Sequence, residues 1–113
     1  MLDLVGSVEA AELPGGQLVV SAHGPLDERI ATPFLDVLVP AAVDGAVVIL
    51  DLTDAHGLDD AALAVVGVAA HLVHRREGRL RVVARPLVAS RLRELGVADI
   101  VDVHASLREA IDA

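Results

Sequence analysis

Several groups of side chains in this sequence could do chemistry. Ser21, His23 and Asp27 supply a nucleophile, a base and an orienting carboxylate. They sit in one short segment with no oxyanion-hole motif beside them, which argues against a hydrolase triad. Asp51, Asp54, Asp59 and Asp60 give a carboxylate density of the kind that holds magnesium. A strand-end Asp followed by helix-cap residues accounts for the same pattern and is preferred. His71 and His74 have a spacing that can bring two imidazoles to one metal. No third ligand converges on them, and a catalytic zinc needs more than such a pair, so they read as a polar helix edge leading into Arg75, Arg76 and Glu77. The chain has no cysteine, which removes disulfides, thiolate metal sites and thiol nucleophiles together. Gly15-Gly16 and Gly24-Pro25 read as turns, and neither has the spacing or the lysine of a phosphate loop. The expectation is a non-enzyme with no metal and no cofactor.

The rest of the chain bounds what these residues can belong to. At 113 residues it has the length of one domain, spanning 1–113. Hydrophobic residues make up 54%, yet Phe34 is the sole aromatic, so the core must be built from Val, Leu, Ile and Ala. Such a core depends on close packing of branched side chains. A net charge of −8 argues against nucleic acid, whose binders neutralise phosphates with Lys and Arg, and against a polybasic surface for anionic lipid. The N-terminus has neither a basic start nor a long apolar run, so no signal peptide is expected. The longest apolar run, Ala61 to Ala70, is about half of the roughly 20 residues that a spanning helix needs. A soluble, cytoplasmic protein without membrane insertion is therefore expected, and the Ala-, Val- and Arg-rich composition fits a GC-rich bacterial genome.

These residues are positioned by alternating strand and helix patterns. Leu4–Val8, Leu18–Ala22, Ala46–Leu52 and Leu80–Ala84 read as strands, with Ile100–Val103 as a fifth, edge strand. The Ala46–Leu52 run is continuously apolar rather than alternating, as in a central strand covered on both faces. Leu26, Ile30, Phe34, Val37, Leu38 and Ala41 recur at helical spacing, with Pro33 in a first turn after Thr32 and Pro40 as a kink or stop. Further helices are expected from about Asp60 to Arg76, from Pro86 to Leu95 with a stop at Gly96, and from Ser106 to Ala113. Ser106 and Glu109 fit a capping box. Along the second helix, Leu63, Val66, Ala70 and Val73 form one stripe and Val65, Val68 and Leu72 another, and one of these must face the sheet. The pattern predicts a single α/β domain with a partly parallel sheet.

The stretch from Val47 through Asp51-Leu52-Thr53 to Asp59-Asp60-Ala61-Ala62-Leu63 resembles the centre of a STAS domain, where a buried strand ends in Asp-Leu-Ser/Thr and an Asp-Ser-Ser/Thr-Gly-Leu motif opens the next helix. Gly24-Pro25-Leu26-Asp27 is similar to the Gly-x-Leu-Asp before the family's first helix. Gly78-Arg79-Leu80-Arg81-Val82-Val83 is similar to its Gly-x-Leu-x-Leu/Val strand. Leu92 to Gly96, Ile100 and Ser106-Leu107 with Ala110 resemble its closing pattern. The resemblance covers nearly the whole chain and implies a small mixed sheet of four to five strands, with about four helices packed mainly on one face.

The resemblance also implies a function. Bacterial members of the anti-sigma-factor-antagonist type bind anti-sigma factors with a kinase-like ATPase fold, and phosphorylation of the second hydroxyl residue of Asp-Ser-Ser-Gly releases the partner. A phosphate there would add negative charge that repels carboxylates and resists desolvation. In this sequence the first Ser is Asp60, the phosphorylatable position is Ala61 and the Gly is Ala62, so the usual switch has no acceptor. Asp60 either imitates a phosphoserine or serves the helix end. The resemblance places the partner surface on Asp27, His56, Asp59, Asp60, Ala61, Ala62 and Leu63, and an acidic lip of Asp54, Asp59 and Asp60 would favour a basic partner face. The implied partner is an anti-sigma factor or a histidine-kinase-like ATPase, with a homodimer left open. Two alternatives stand beside it: a STAS subunit of a membrane transport complex gripping a nucleotide-binding subunit, and a small enzyme.

Overall fold

A computed structural model describes residues 6–97 and 99–113. In chain order the elements are β1 (Ser7–Glu12), β2 (Leu18–Leu26), a 3-10 turn (Glu28–Ile30), α1 (Ala31–Ala41), β3 (Val47–Asp51), β4 (Ala55–Leu58), α2 (Asp60–Arg75), β5 (Arg79–Val83), α3 (Pro86–Glu94), β6 (Val101–His104) and α4 (Leu107–Asp112). The first expected strand began at Leu4, and Leu4 and Val5 lie outside the described residues; the described strand runs on to Glu12.

β1 and β2 form an antiparallel hairpin, and every other pairing is parallel, in the order β1-β2-β3-β5-β6. The long β2 is shared. Leu18–Ser21 pair with β3, whereas Gly24–Leu26 pair with β4, which sits beside the far end of β2. Sequence reading ended β2 at Ala22 because Gly24-Pro25 breaks strands. The structure carries it past the proline through a register shift between Pro25 and Leu26, where a missing N–H is tolerated. β4 was read as loop, so the sheet has six strands rather than four or five.

Alternation along the strands sorts the side chains into two layers. Val20, Ala22, Val48, Leu50, Leu80 and Val82 join Phe34, Leu38, Val66, Ala70 and Leu92 from α1, α2 and α3 in the main core. The opposite face is covered by α4, whose Ala110 packs on Val19, Ile49 and Val83, with Leu13 of the β1–β2 turn beside it. Two side chains tie α4 down at its carbonyl end: Arg81 Nη1 donates to Ala110 O at 2.9 Å and Gln17 Nε2 to Ile111 O at 3.1 Å. Three helices on one face and a short one on the other match the expected layering.

The helix ends refine the sequence reading. The lead-in turn at 28–30 is present, but α1 begins at Ala31 with Ile30 as its N-cap, so Thr32 does not cap it. Pro33 falls in the first turn and Pro40 stands one residue from the end, where the ring meets little further helix. Ser106 Oγ accepts from Glu109 N at 3.2 Å as expected of a capping box, while Glu109 Oε2 reaches back to Ala105 N at 3.2 Å rather than to the cap residue itself.

Candidate functional site

Because β2, β3, β4 and β5 run parallel, their C-terminal ends share one edge of the sheet, and the chain enters α2 and α3 there. Asp27, Thr53, Asp59 and Arg85 all leave the sheet at this edge. Asp59 N donates to Leu26 O at 3.1 Å, which fastens the start of α2 beside Asp27. Arg85 Nη2 donates to Ala55 O at 2.6 Å and fastens β4 to the start of α3.

The helix cap is Asp59, not Asp60. Asp59 Oδ1 accepts from Ala62 N at 2.9 Å, satisfying one of the orphan donors of the first turn. Asp60 is the first residue of the helix, its side chain fully exposed, and it meets Arg91 Nη2 of α3 at 3.0 Å. Asp59→Ala should therefore cost about 1 kcal/mol in urea unfolding, and Asp60→Ala much less. Equal losses would show that the cap is shared.

The other carboxylates also have partners within the chain. Asp51 Oδ1 accepts from Thr53 N at 3.0 Å and Thr53 Oγ1 at 2.5 Å, closing the turn after β3. Asp54 Oδ2 lies 3.3 Å from His23 Nδ1, and the same ring meets Glu9 Oε1 through Nε2 at 2.7 Å. Asp27 is clasped by Arg29, and that side-chain hydrogen bond, with a second from Arg29 N, holds its carboxyl below the usual carboxylate range. Ser21, His23 and Asp27 therefore form no triad, since His23 turns to Glu9 and Asp54 while Asp27 turns to Arg29. Among the described residues no group of ligating side chains can hold a metal ion, and His71 and His74 are both exposed on α2. Within the acidic lip, Asp60 pairs with Arg91, Asp54 Oδ2 meets the His23 ring and Asp59 Oδ1 is engaged by Ala62 N, so each carboxylate already has a contact within the chain.

The expected partner residues divide by accessibility. Asp59 and Asp60 are exposed, Asp27 and Ala61 half-buried, and His56 lies on β4 opposite Pro25. Ala62 is in the core at 0% exposure and withholds its side chain from a partner, whereas Leu63 packs against the core but is half-buried like Ala61. Of the two stripes on α2, Val66, Ala70 and Val73 face the core; in the second, Val65 is buried, Leu72 half-buried and Val68 exposed.

Sequence reading missed the contribution of α3. Leu87 is 77% exposed, the most exposed large apolar side chain among the described residues. It stands one helical turn before Arg91, hence on the same face, and Arg91 reaches Asp60 at the head of α2. Gly67 of α2 carries the same contact further along, since a Cβ there would lie 3.2 Å from Leu95 Cδ2. An apolar side chain in the first turn of an amphipathic helix normally reads as core, and only its outward rotation reveals otherwise.

The STAS-domain family model matches residues 7–110, and the chain belongs to the STAS domain family. Solved structures share the fold. An anti-sigma factor antagonist from Mycobacterium paratuberculosis superposes with a TM-score of 0.76 at 18% identity, over 96% of this chain and 92% of that one. The Bacillus cell fate determinant SpoIIAA in its phosphorylated form gives 0.67 at 18% identity, over 94% and 97%. A STAS-domain antisigma-factor antagonist from Rhodobacter sphaeroides gives 0.56 at 18% identity, over 70% and 86%. No curated protein matches the sequence. Among the described residues no helix is long and apolar enough to cross a membrane.

Proposed function

We infer that this domain is a non-enzymatic regulatory module of the anti-sigma-factor-antagonist type, working in the cytoplasm. It docks an anti-sigma factor of kinase-like ATPase fold on the edge formed by Asp27, His56, Asp59, Asp60, Ala61 and Leu87. The observation that carries the reading is the exposed Leu87, an apolar anchor one helical turn before Arg91, which reaches Asp60 at the accessible head of α2. The α2 segment contains no Ser, Thr or Tyr, so binding there is not gated by a phosphate on that helix. Asp60, held by Arg91, serves α3–α2 docking rather than imitating a phosphate.

The test is capture of tagged protein from its native cells with identification by mass spectrometry, followed by affinity measurement with the recovered ATPase. Leu87→Asp is preferable to a change at Leu63, which packs against the core. It should weaken binding about tenfold or more, since the apolar area that Leu87 buries against the partner is lost and a charge must be desolvated in its place. Ala61→Ser should take up phosphate from the captured ATPase and then release it. Recovery of transport subunits instead, or equal affinity of wild type and Leu87→Asp, would overturn the reading.

A further inference from the structure

We propose that the outer edge of β6 pairs with the same edge of a second copy of this chain, antiparallel and two-fold symmetric about Val103. Among the described residues β6 is the last strand of the sheet, with β5 on one side only. Ala84 N donates to His104 O, and Val83 is the register partner of His104. In a parallel ladder this turns the backbone groups of Asp102 and His104 towards β5 and those of Val101, Val103 and Ala105 outward. Two outward donors are already engaged: Val101 N by Val97 O at 3.0 Å and Ala105 N by Glu109 Oε2 at 3.2 Å. The N–H and C=O of Val103 are left together at the centre.

That pair selects one register. An antiparallel hydrogen-bonded pair exchanges both N–H···O bonds between two facing residues, and a two-fold axis through Val103 makes Val103 face its own copy. Asp102 then stands opposite His104 of the second copy, twice over, and Val101 opposite Ala105. Facing side chains at these positions lie close enough to interact. Symmetric pairing about Asp102 would set carboxylate against carboxylate and face Val103 with Val101, whose N–H is already engaged by Val97 O. Pairing about His104 would set the imidazoles against each other.

The side-chain surface fits the same occupant. A cleft of about 270 Å³ lined by Leu92, Val97 and Val101 adjoins one of about 430 Å³ lined by Ser90 and His104, and Val103 and Arg93 line both. His104 Nε2 is buried without a hydrogen-bond partner in the single chain, and in the paired register a carboxylate faces that residue. Asp102 keeps Arg79 on its inner side, with acceptor capacity left over. A second copy thus supplies apolar side chains to the cleft and a carboxylate acceptor at its rim.

Sedimentation velocity of the wild-type chain tests this. Because the paired edge is short, the average mass should rise towards twice the monomer only as concentration climbs from about 10 μM to about 1 mM. Val103→Pro removes the outward N–H without costing the β5 ladder a bond, and should stay monomeric with its circular dichroism unchanged. The Val103 amide should become protected from hydrogen exchange as concentration rises. Leu87→Asp should dimerise like the wild type, which separates this edge from the partner surface on α2 and α3. A wild type monomeric at about 1 mM, or a dimer that Val103→Pro leaves intact, would overturn the proposal; the first would leave the edge to a strand from another protein.

Discussion

Phe34→Ala is expected to destabilise the domain by about 3–5 kcal/mol, read as a lowered urea midpoint with unchanged slope. Phe34 is the sole aromatic residue and is 0% exposed, one turn before Leu38 on the inner face of α1 and one turn after Ile30 at its N-cap. The rest of the core is aliphatic, so no other ring can lean into the vacancy, and the surrounding Val and Leu side chains are short and branched. Domains of this size are commonly stable by about 5–15 kcal/mol, so the loss takes away a quarter or more of the total in most of that range. Phe34→Leu should recover much of the loss, because it leaves a smaller cavity. A loss below about 1 kcal/mol for Phe34→Ala would mean that α1 settles onto the sheet and fills the space.

Gly78→Ala should cost about 2–3 kcal/mol through overpacking and a lost hydrogen bond. A Cβ at this position would lie 2.4 Å from Ala46 O and 2.9 Å from Val73 Cγ1. The first of these is backbone, already engaged as the acceptor of Arg79 N at 2.8 Å, in a seam where Gly45 N also donates to Arg76 O at 2.8 Å. To admit a methyl group the seam must open, and β3 loses its anchor to the end of α2. Gly67→Ala is the matched comparison. Its Cβ would meet only the end of the Leu95 side chain at 3.2 Å, which can rotate away, and alanine favours the helix by about 1 kcal/mol. Near-neutral Gly67→Ala beside a damaging Gly78→Ala, with faster amide exchange in Val47–Leu50, is the expected result. Equal effects would show that the seam yields easily.

The sequence by itself determined the class of fold. Apolar runs such as Ala46–Leu52 and Leu80–Ala84 and the helical spacing from Phe34 to Ala41 depend on local periodicity and burial, and they settled into the expected strands and helix, while Leu26 closed β2 instead. End signals of the same local kind, Ser106 with Glu109 and the stop at Gly96, were equally legible, because a cap bonds only to its own first turn. The residues at the head of α2 could also be named from spacing, since a strand end and a following helix start are contiguous in the chain.

Tertiary structure decided the rest. β4 has a weak sequence signal because its pairing is with Gly24–Leu26, far away in the chain and interrupted by Pro25. Gly78 looks like a helix-ending glycine chosen for a left-handed backbone, yet Glu77 takes that conformation, with φ of 58°, and Gly78 is needed because Ala46 approaches too closely for a Cβ. Whether Asp54, Asp59 and Asp60 make an acidic surface depended on His23, the first-turn amides and Arg91, none of which spacing could bring to them. The edge position of β6 was legible from the shortness of Ile100–Val103, but the exposure of Leu87 was not: exposure is a property of what fails to pack against a residue, and only the assembled layers settle that.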